Sequence, residues 1–293
     1  LLPGGRPVAD AAARVDAATA WGVDHLPETP GRDADEIVAA LVAGELGGLV
    51  IGGVDPDDTA DPAATRAAIE AASFVVALEL RETDVTRAAD VVFPVAPTVD
   101  KAGMFVTWEG RPRTFDVALG SPQSLPDLRV LAGIAEELAS LGQGRSLGFR
   151  TVEQVRAMLM DMGPWDGERA ALPPAPARPA RPKGARGSTG PATAGTMRLA
   201  TWKQMIDLGS MQDGDDALRR TARMPVARVS AAVYDACGPT VTITGDRGTL
   251  TLPAVIADIA EDVVWVPTRS TGRGVLAELA SPGSTVSVEG GHS

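Results

Sequence analysis

An α/β layer domain followed by a smaller β-rich domain is the fold the sequence predicts, on three observations. Residues 1–165 alternate amphipathic helical stretches with short apolar runs. Residues 166–196 change abruptly to Pro, Gly and Arg. Residues 197–293 carry apolar–polar alternation of period two, broken by Gly-rich turns. At 293 residues with 44% hydrophobic content, the chain has material for two cores.

The elements of the first domain follow in order. Asp33 with Glu36 three residues on is a capping-box pattern, and Ile37, Val38, Leu41 and Val42 then line one helical face up to the glycines at 44–48. Leu49-Val50-Ile51 reads as a buried parallel strand. Ala63–Ala72 is a second helix, Phe74–Leu78 a second strand and Val91–Phe93 a third. Ser124 is expected to open a longer helix, because Leu128, Leu131, Ile134, Leu138 and Leu141 recur at three- and four-residue steps before Gly142. Thr151 and Gln154 repeat the capping-box pattern ahead of a helix that closes the domain.

Residues 166–196 hold six prolines, five glycines and no aromatic residue, too little apolar surface to offset their ordering entropy, so they read as a linker. Beyond it, a short helical start is expected around Trp202, Met205 and Ile206 and again at Ala217–Arg223. The segment VTITGDRGTLTL at 241–252 is a hairpin signal, and Val263–Val266 and Thr285–Val288 supply further strands of a small barrel or sandwich.

Composition excludes several function classes. No run approaches the ~20 apolar residues that cross a bilayer. Cys237 is alone, so the segment's own thiolates hold no intrachain disulfide, zinc finger or iron–sulfur cluster. A reducing compartment fits. The two histidines, His25 and His292, sit near opposite ends and do not suggest a metal site. Residues 1–165 carry 13 Lys/Arg against 25 Asp/Glu, a net −12 that repels a nucleic-acid backbone. The chain opens on Leu1 without Met or a charged-then-apolar leader and is read as a fragment or the tail of a longer polypeptide.

Motifs that could carry chemistry mostly fail on spacing. In GGVDPDDTADP at 52–62, Asp55, Asp57, Asp58 and Asp61 invite a calcium reading, but Ala60 stands at the turn position and Arg66 at the twelfth. Four carboxylates also oppose a phosphate, so the expectation is an Asp/Pro turn capping the next helix. GQGRSLG at 142–148 follows a helix where a dinucleotide motif needs a strand. No Gly-x-Ser-x-Gly elbow, Walker-type lysine loop or His-Glu-x-x-His is present. At 89–115 an apolar strand runs into Lys101, Phe105, Trp108 and the turn Glu109-Gly110-Arg111. Lys101 could contact an anion and Glu109 could pair with Arg111, while the plainer reading packs Trp108 beneath the loop and leaves the charges solvated. Cys237, next to Gly238-Pro239, reads as a small buried hydrophobe.

Three stretches carry a resemblance: LPETPGRDADEIVAALVAGELGGLVIGGVDP at 26–56, ELRETDVTRAADVVFPVAPTVDKAGMFVTWEGRPRTF at 79–115, and VTITGDRGTLTLPAVIADIAEDVVWVPTRS at 241–270. In order and spacing the sequence resembles the G-subunit family of bacterial NADH-quinone oxidoreductase, respiratory complex I, within the molybdopterin oxidoreductase superfamily. The resemblance implies a Rossmann-like parallel-sheet domain at 1–165 and a double-psi-barrel-like domain at 197–293. It implies that loops at 52–56, 81–86 and 101–111 correspond to those approaching a pterin cofactor in molybdenum enzymes. Gly53, Asp55, Glu82, Thr83, Lys101, Trp108, Glu109 and Arg111 are then candidate walls of a relic pocket, with no catalytic residue, bound cofactor or metal expected in this segment. Iron–sulfur clusters are expected in a missing N-terminal part of the polypeptide. The expected role is a scaffold among peripheral-arm subunits of an NADH-to-quinone, proton-translocating complex, on the cytoplasmic side of the bacterial plasma membrane, without membrane insertion. The alternative is a fragment of a molybdopterin-binding oxidoreductase of the nitrate reductase or formate dehydrogenase type.

Overall fold

The computed structural model describes residues 2–107, 109–120, 123–168, 195–270 and 275–291. The expected linker therefore lies for the most part outside the described residues. Two compact units emerge, one of Leu1–Val54 with Ala67–Ala175, the other of Asp55–Arg66 with Pro176–Ser293. The first is mixed α/β around a parallel sheet, and the second is built on a closed six-stranded barrel.

The first unit begins with α1 (Ala11–Trp21), whose Asp10 carboxylate accepts from the Ala13 amide at 2.9 Å, and which buries Ala13, Ala17 and Ala18. In α2 (Ala34–Val42) the capping box of Asp33 and Glu36 is closed in both directions at 2.9 Å, as the sequence predicts. Then come β1 (Gly48–Gly52), α3 (Pro62–Ala71), β2 (Phe74–Glu79), α4 (Asp84–Ala88) and β3 (Val91–Pro94). The strands pair in parallel in the order β1-β2-β3. Ile51, Val75 and Ala77 face one way and pack with Ile69 and Val85; Leu78 faces the other way and packs with Val95 and Val130. Helical residues thus cover both faces, the usual condition for parallel strands.

A two-stranded ribbon of β4 (Gly103–Val106) and β5 (Pro112–Phe115) follows, then α5 (Asp127–Ser140) and α6 (Val152–Met162). The α5 helix starts three residues later than the Ser124 expected. Pro126 takes the N-cap position and disfavours helical backbone at Leu125, which instead bridges in parallel to Val95. The Thr151–Gln154 capping box forms as expected.

In the second unit β6 (Gly195–Trp202) replaces the helical start expected near Trp202. Its Met197 and Leu199 point into the barrel, and both of its edges are paired, to β10 and β11, so the backbone is satisfied as a strand. Met205 is 96% exposed, and α7 shrinks to Asp216–Arg219. The remaining elements are β7 (Ala227–Val229), α8 (Ala231–Cys237), β8 (Thr240–Thr244), β9 (Thr249–Ile256), β10 (Val263–Pro267), α9 (Val275–Leu279) and β11 (Thr285–Gly290). The barrel closes in the order β10-β6-β11-β8-β9-β7. The pairs β6–β10 and β7–β9 are parallel, the others antiparallel. Alternation explains its filling. Leu250 and Leu252 of β9 point inward with Val241, Ile243, Val264, Val266, Val286 and Val288, while Thr249 and Thr251 point out and bond Thr244 and Thr242 at 3.0 Å. The expected 241–252 hairpin is thereby realised.

Candidate functional site

Two places concentrate functional groups. The first, in the second unit, is the acidic turn after β1. Asp55 caps a single 3-10 turn at Pro56–Asp58 by accepting from the Asp57 amide at 3.0 Å, and the Asp61 carboxylate accepts from the Ala64 amide of α3 at 3.0 Å. The capping role expected for this segment is present. It is joined by a cation that the local sequence does not announce. Arg269, 5% exposed, donates from Nη1 to Asp55 at 2.9 Å and Asp58 at 3.1 Å, and Nη2 lies 3.5 Å from Asp57. Burial opposes the charge on Arg269, but the hydrogen bonds and charges of Asp55 and Asp58 more than restore it, so its pKa sits above arginine's ordinary value. Asp57 is further held by Arg66 at 2.6 Å, and Arg247 donates to the Ala60 carbonyl and to Ser281. These carboxylates are occupied by guanidinium groups of the same unit.

The second place, in the first unit, is a half-open groove of about 500 Å³ between the β4–β5 ribbon and the starts of α5 and α6. Its walls are mainly apolar: Met104, Phe105, Phe115, Leu128, Val155 and Leu159. Lys101 lines it and pairs with Asp127 at the N-terminus of α5, where a carboxylate also suits the helix dipole. Arg156 reaches from α6 to the ribbon, donating from Nη2 to the Gly103 carbonyl at 2.6 Å and the Phe115 carbonyl at 2.9 Å. Its Nε is buried without a partner.

Each candidate wall residue has its own local setting. Gly53 follows β1 with φ 62°, a left-handed backbone that favours glycine, and its amide donates to the Leu78 carbonyl at 3.2 Å. Asp55 belongs to the Arg269 cluster. Glu82 is exposed and lies 3.6 Å from Arg87, and Thr83 caps α4, accepting from the Thr86 amide at 3.2 Å. Lys101 is in the groove. Glu109 and Arg111 sit exposed at the ribbon turn, where the Arg111 amide donates to the Thr107 hydroxyl at 3.1 Å. Trp108 lies outside the described residues. Sequence reasoning missed Arg269, Arg156 and Asp127, whose partners are remote along the chain; Arg269 and Asp55 stand 214 positions apart.

Comparison with known proteins gives these places a family. Residues 6–136 match the family described as Molybdopterin oxidoreductase. Over 99% of its length the chain is 45% identical to the G subunit of NADH-quinone oxidoreductase from Mycobacterium bovis. The corresponding G subunit from Streptomyces coelicolor is 39% identical over 98% of the chain. The chain spans about a third of the length of these relatives, 35% and 34%. Among solved structures, acetylene hydratase from Pelobacter acetylenicus matches 97% of this chain and 50% of its own, with a TM-score of 0.53 and 12% identity, a likeness of fold alone. The molybdopterin oxidoreductase match covers β1 to β5 and the first part of α5, so the ribbon and α5 sides of the groove fall within it and the α6 side lies beyond it.

Proposed function

We propose that this chain is a scaffold region of the G subunit of an NADH-quinone oxidoreductase, supporting electron transfer from NADH through iron–sulfur clusters to quinone while holding no redox centre itself. The observation that carries the reading is identity of 45% along 99% of the chain to a protein of that name. On this reading the parallel sheet is a Rossmann-like unit and the barrel a double-psi type, in keeping with the likeness of fold to acetylene hydratase. The clusters lie in the part of a full-length relative that this chain does not span. The partners are peripheral-arm subunits of a proton-translocating complex on the cytoplasmic side of the plasma membrane. In keeping with attachment through partners, no described helix is long and apolar enough to cross a membrane.

Molybdopterin, the group the family name implies, carries an anionic phosphate, and the described residues at the acidic turn do not fit it. Asp55, Asp57 and Asp58 present negative charge there, and Arg269, the buried cation beside them, is already engaged by all three. No reaction step is therefore assigned to this chain. The reading is tested by purifying the complex from membranes through an affinity tag on this chain. NADH-oxidising, quinone-reducing activity and iron–sulfur subunits should co-purify with the tag. A tagged chain that elutes alone, or with a nitrate- or formate-converting activity, would overturn it.

A further inference from the structure

We propose that the groove beside the β4–β5 ribbon is a docking site for a segment of a neighbouring subunit that inserts an apolar side chain and carries carboxylates within a turn or two of it. The inference rests on the scaffold reading above and specifies which surface makes one of the contacts.

The ribbon's register determines what it displays. Antiparallel pairing of Gly103 with Phe115 and of Phe105 with Arg113 puts these four residues on one face, and Arg111, two positions before Arg113, extends the same face toward the turn. From base to tip, that face reads as two phenyl rings followed by two guanidinium groups. The Phe105 and Phe115 rings stack with centroids 5.1 Å apart, yet Phe105 remains 66% exposed, and Val106 on the reverse side is 60% exposed. A two-stranded ribbon is marginally stable alone, and one that leaves apolar groups in water on both faces is suited to being covered.

Charge decides what covers it. Arg111 and Arg113 make no ion pair among the described residues. Arg156, at the floor of the groove, has a buried Nε without a partner, and the carboxylate it reaches, Asp116, is 3.5 Å away and 89% exposed. Lys101 and Asp127 neutralise each other. At the floor Arg156 stands between Asp116 and Glu153, one turn before it on α6, so the positive excess lies on the ribbon itself, Arg111 and Arg113 against Glu109, inside a segment whose net charge is −12. A partner bearing carboxylates is repelled by most of this unit and accepted here. Aromatic rings and arginines around an apolar pocket are also the composition of energetically dominant protein contacts. A cavity of about 500 Å³ admits large anchoring side chains, and the curated relatives are named as subunits, which favours a polypeptide over a small amphiphile.

The test places the photo-cross-linker p-benzoylphenylalanine at position 105 in the intact complex, with the same group at exposed Val15 as a control. Illumination and peptide mapping should join position 105 to one segment of a different subunit, apolar at the cross-link and with Asp or Glu within about four residues. Arg113→Glu should reduce that product at least tenfold without changing the melting temperature of the purified chain. A complex that retains the chain but yields no intersubunit product at 105 would overturn the docking site while leaving the scaffold reading intact. A product with lipid, with a small molecule or with a second copy of this chain would do the same. Loss of the chain from the complex in the unmodified protein would instead overturn the scaffold reading, and the docking site with it.

Discussion

Gly103 and Phe115 face each other across the β4–β5 ladder, and the phenyl ring of Phe115 occupies the space in which a Cβ at position 103 would stand. The tip of the ring therefore covers the glycine, and its face stacks with Phe105. The residue at 103 sets the shape of the groove wall. Gly103→Ala should push the ring out and lower stability by about 1–3 kcal/mol, the usual cost of inserting a carbon into a filled space. Phe115→Leu in the same chain should recover part of that loss, and a double-mutant cycle by chemical denaturation measures the coupling. Additive effects would mean that the ring does not rest on residue 103.

Arg269 is enclosed and its three carboxylate partners are only partly so, with side-chain exposures of 30% to 44%. Removing one partner of a fully buried pair costs about 3–5 kcal/mol, and the solvent reaching these carboxylates screens part of that. Arg269→Met should therefore lower stability by about 2 kcal/mol, and Asp58→Asn by less, since Asp55 and Asp57 remain. Equal losses for the two variants, measured by urea denaturation, would contradict the arginine-centred arrangement.

How much of this is legible in the sequence depends on how far apart the partners lie. The Asp33–Glu36 and Thr151–Gln154 capping boxes and the 241–252 hairpin rest on partners close along the chain, and each of the three parallel strands shows in its own apolar run although its pairing partners lie 15 or 26 positions away. Periodicity and turn chemistry report such neighbours directly. The helix-like spacing of Trp202, Met205 and Ile206 misleads, because Trp202 is the last residue of β6, paired to Pro267 of β10, while Met205 and Ile206 lie in the bends beyond it. The acidic turn is legible as a cap but not as one half of an ion-pair cluster, because nothing near Arg269 distinguishes it from a surface arginine. The ribbon's one-sided display of Phe105, Phe115 and Arg113 becomes visible only once the register is known.

Cys237 packs against the barrel core, and burial raises its thiol pKa above the ordinary value. The sign follows. Below the ordinary thiol pKa, both folded and unfolded chains keep the proton and the group contributes no pH dependence. As pH rises past that value the unfolded thiol ionises first, so stability falls until the folded thiol ionises as well. Alkylation by iodoacetamide at pH 8 should be slow in the native protein and fast in denaturant. Cys237→Ala should flatten the alkaline decline in melting temperature, and an unchanged decline would contradict the assignment.

Leu250 is 2% exposed among Val241, Ile243, Val264 and Val286 inside the closed barrel. Leu250→Ala should cost about 2–5 kcal/mol, depending on how far the barrel relaxes into the space. Leu119→Ala, at a residue 71% exposed, should change stability little. Equilibrium denaturation of the two variants distinguishes a packed barrel from a loosely filled one.

The central claim is that this chain supports electron carriers held elsewhere. Its most direct test is the quantity of molybdenum, tungsten and extractable pterin per copy of this chain in the complex purified from membranes. The account predicts far less than one metal or pterin per chain in preparations with full NADH–quinone activity. One metal and its pterin per chain, lost together with activity when the residues of this segment are altered, would contradict it.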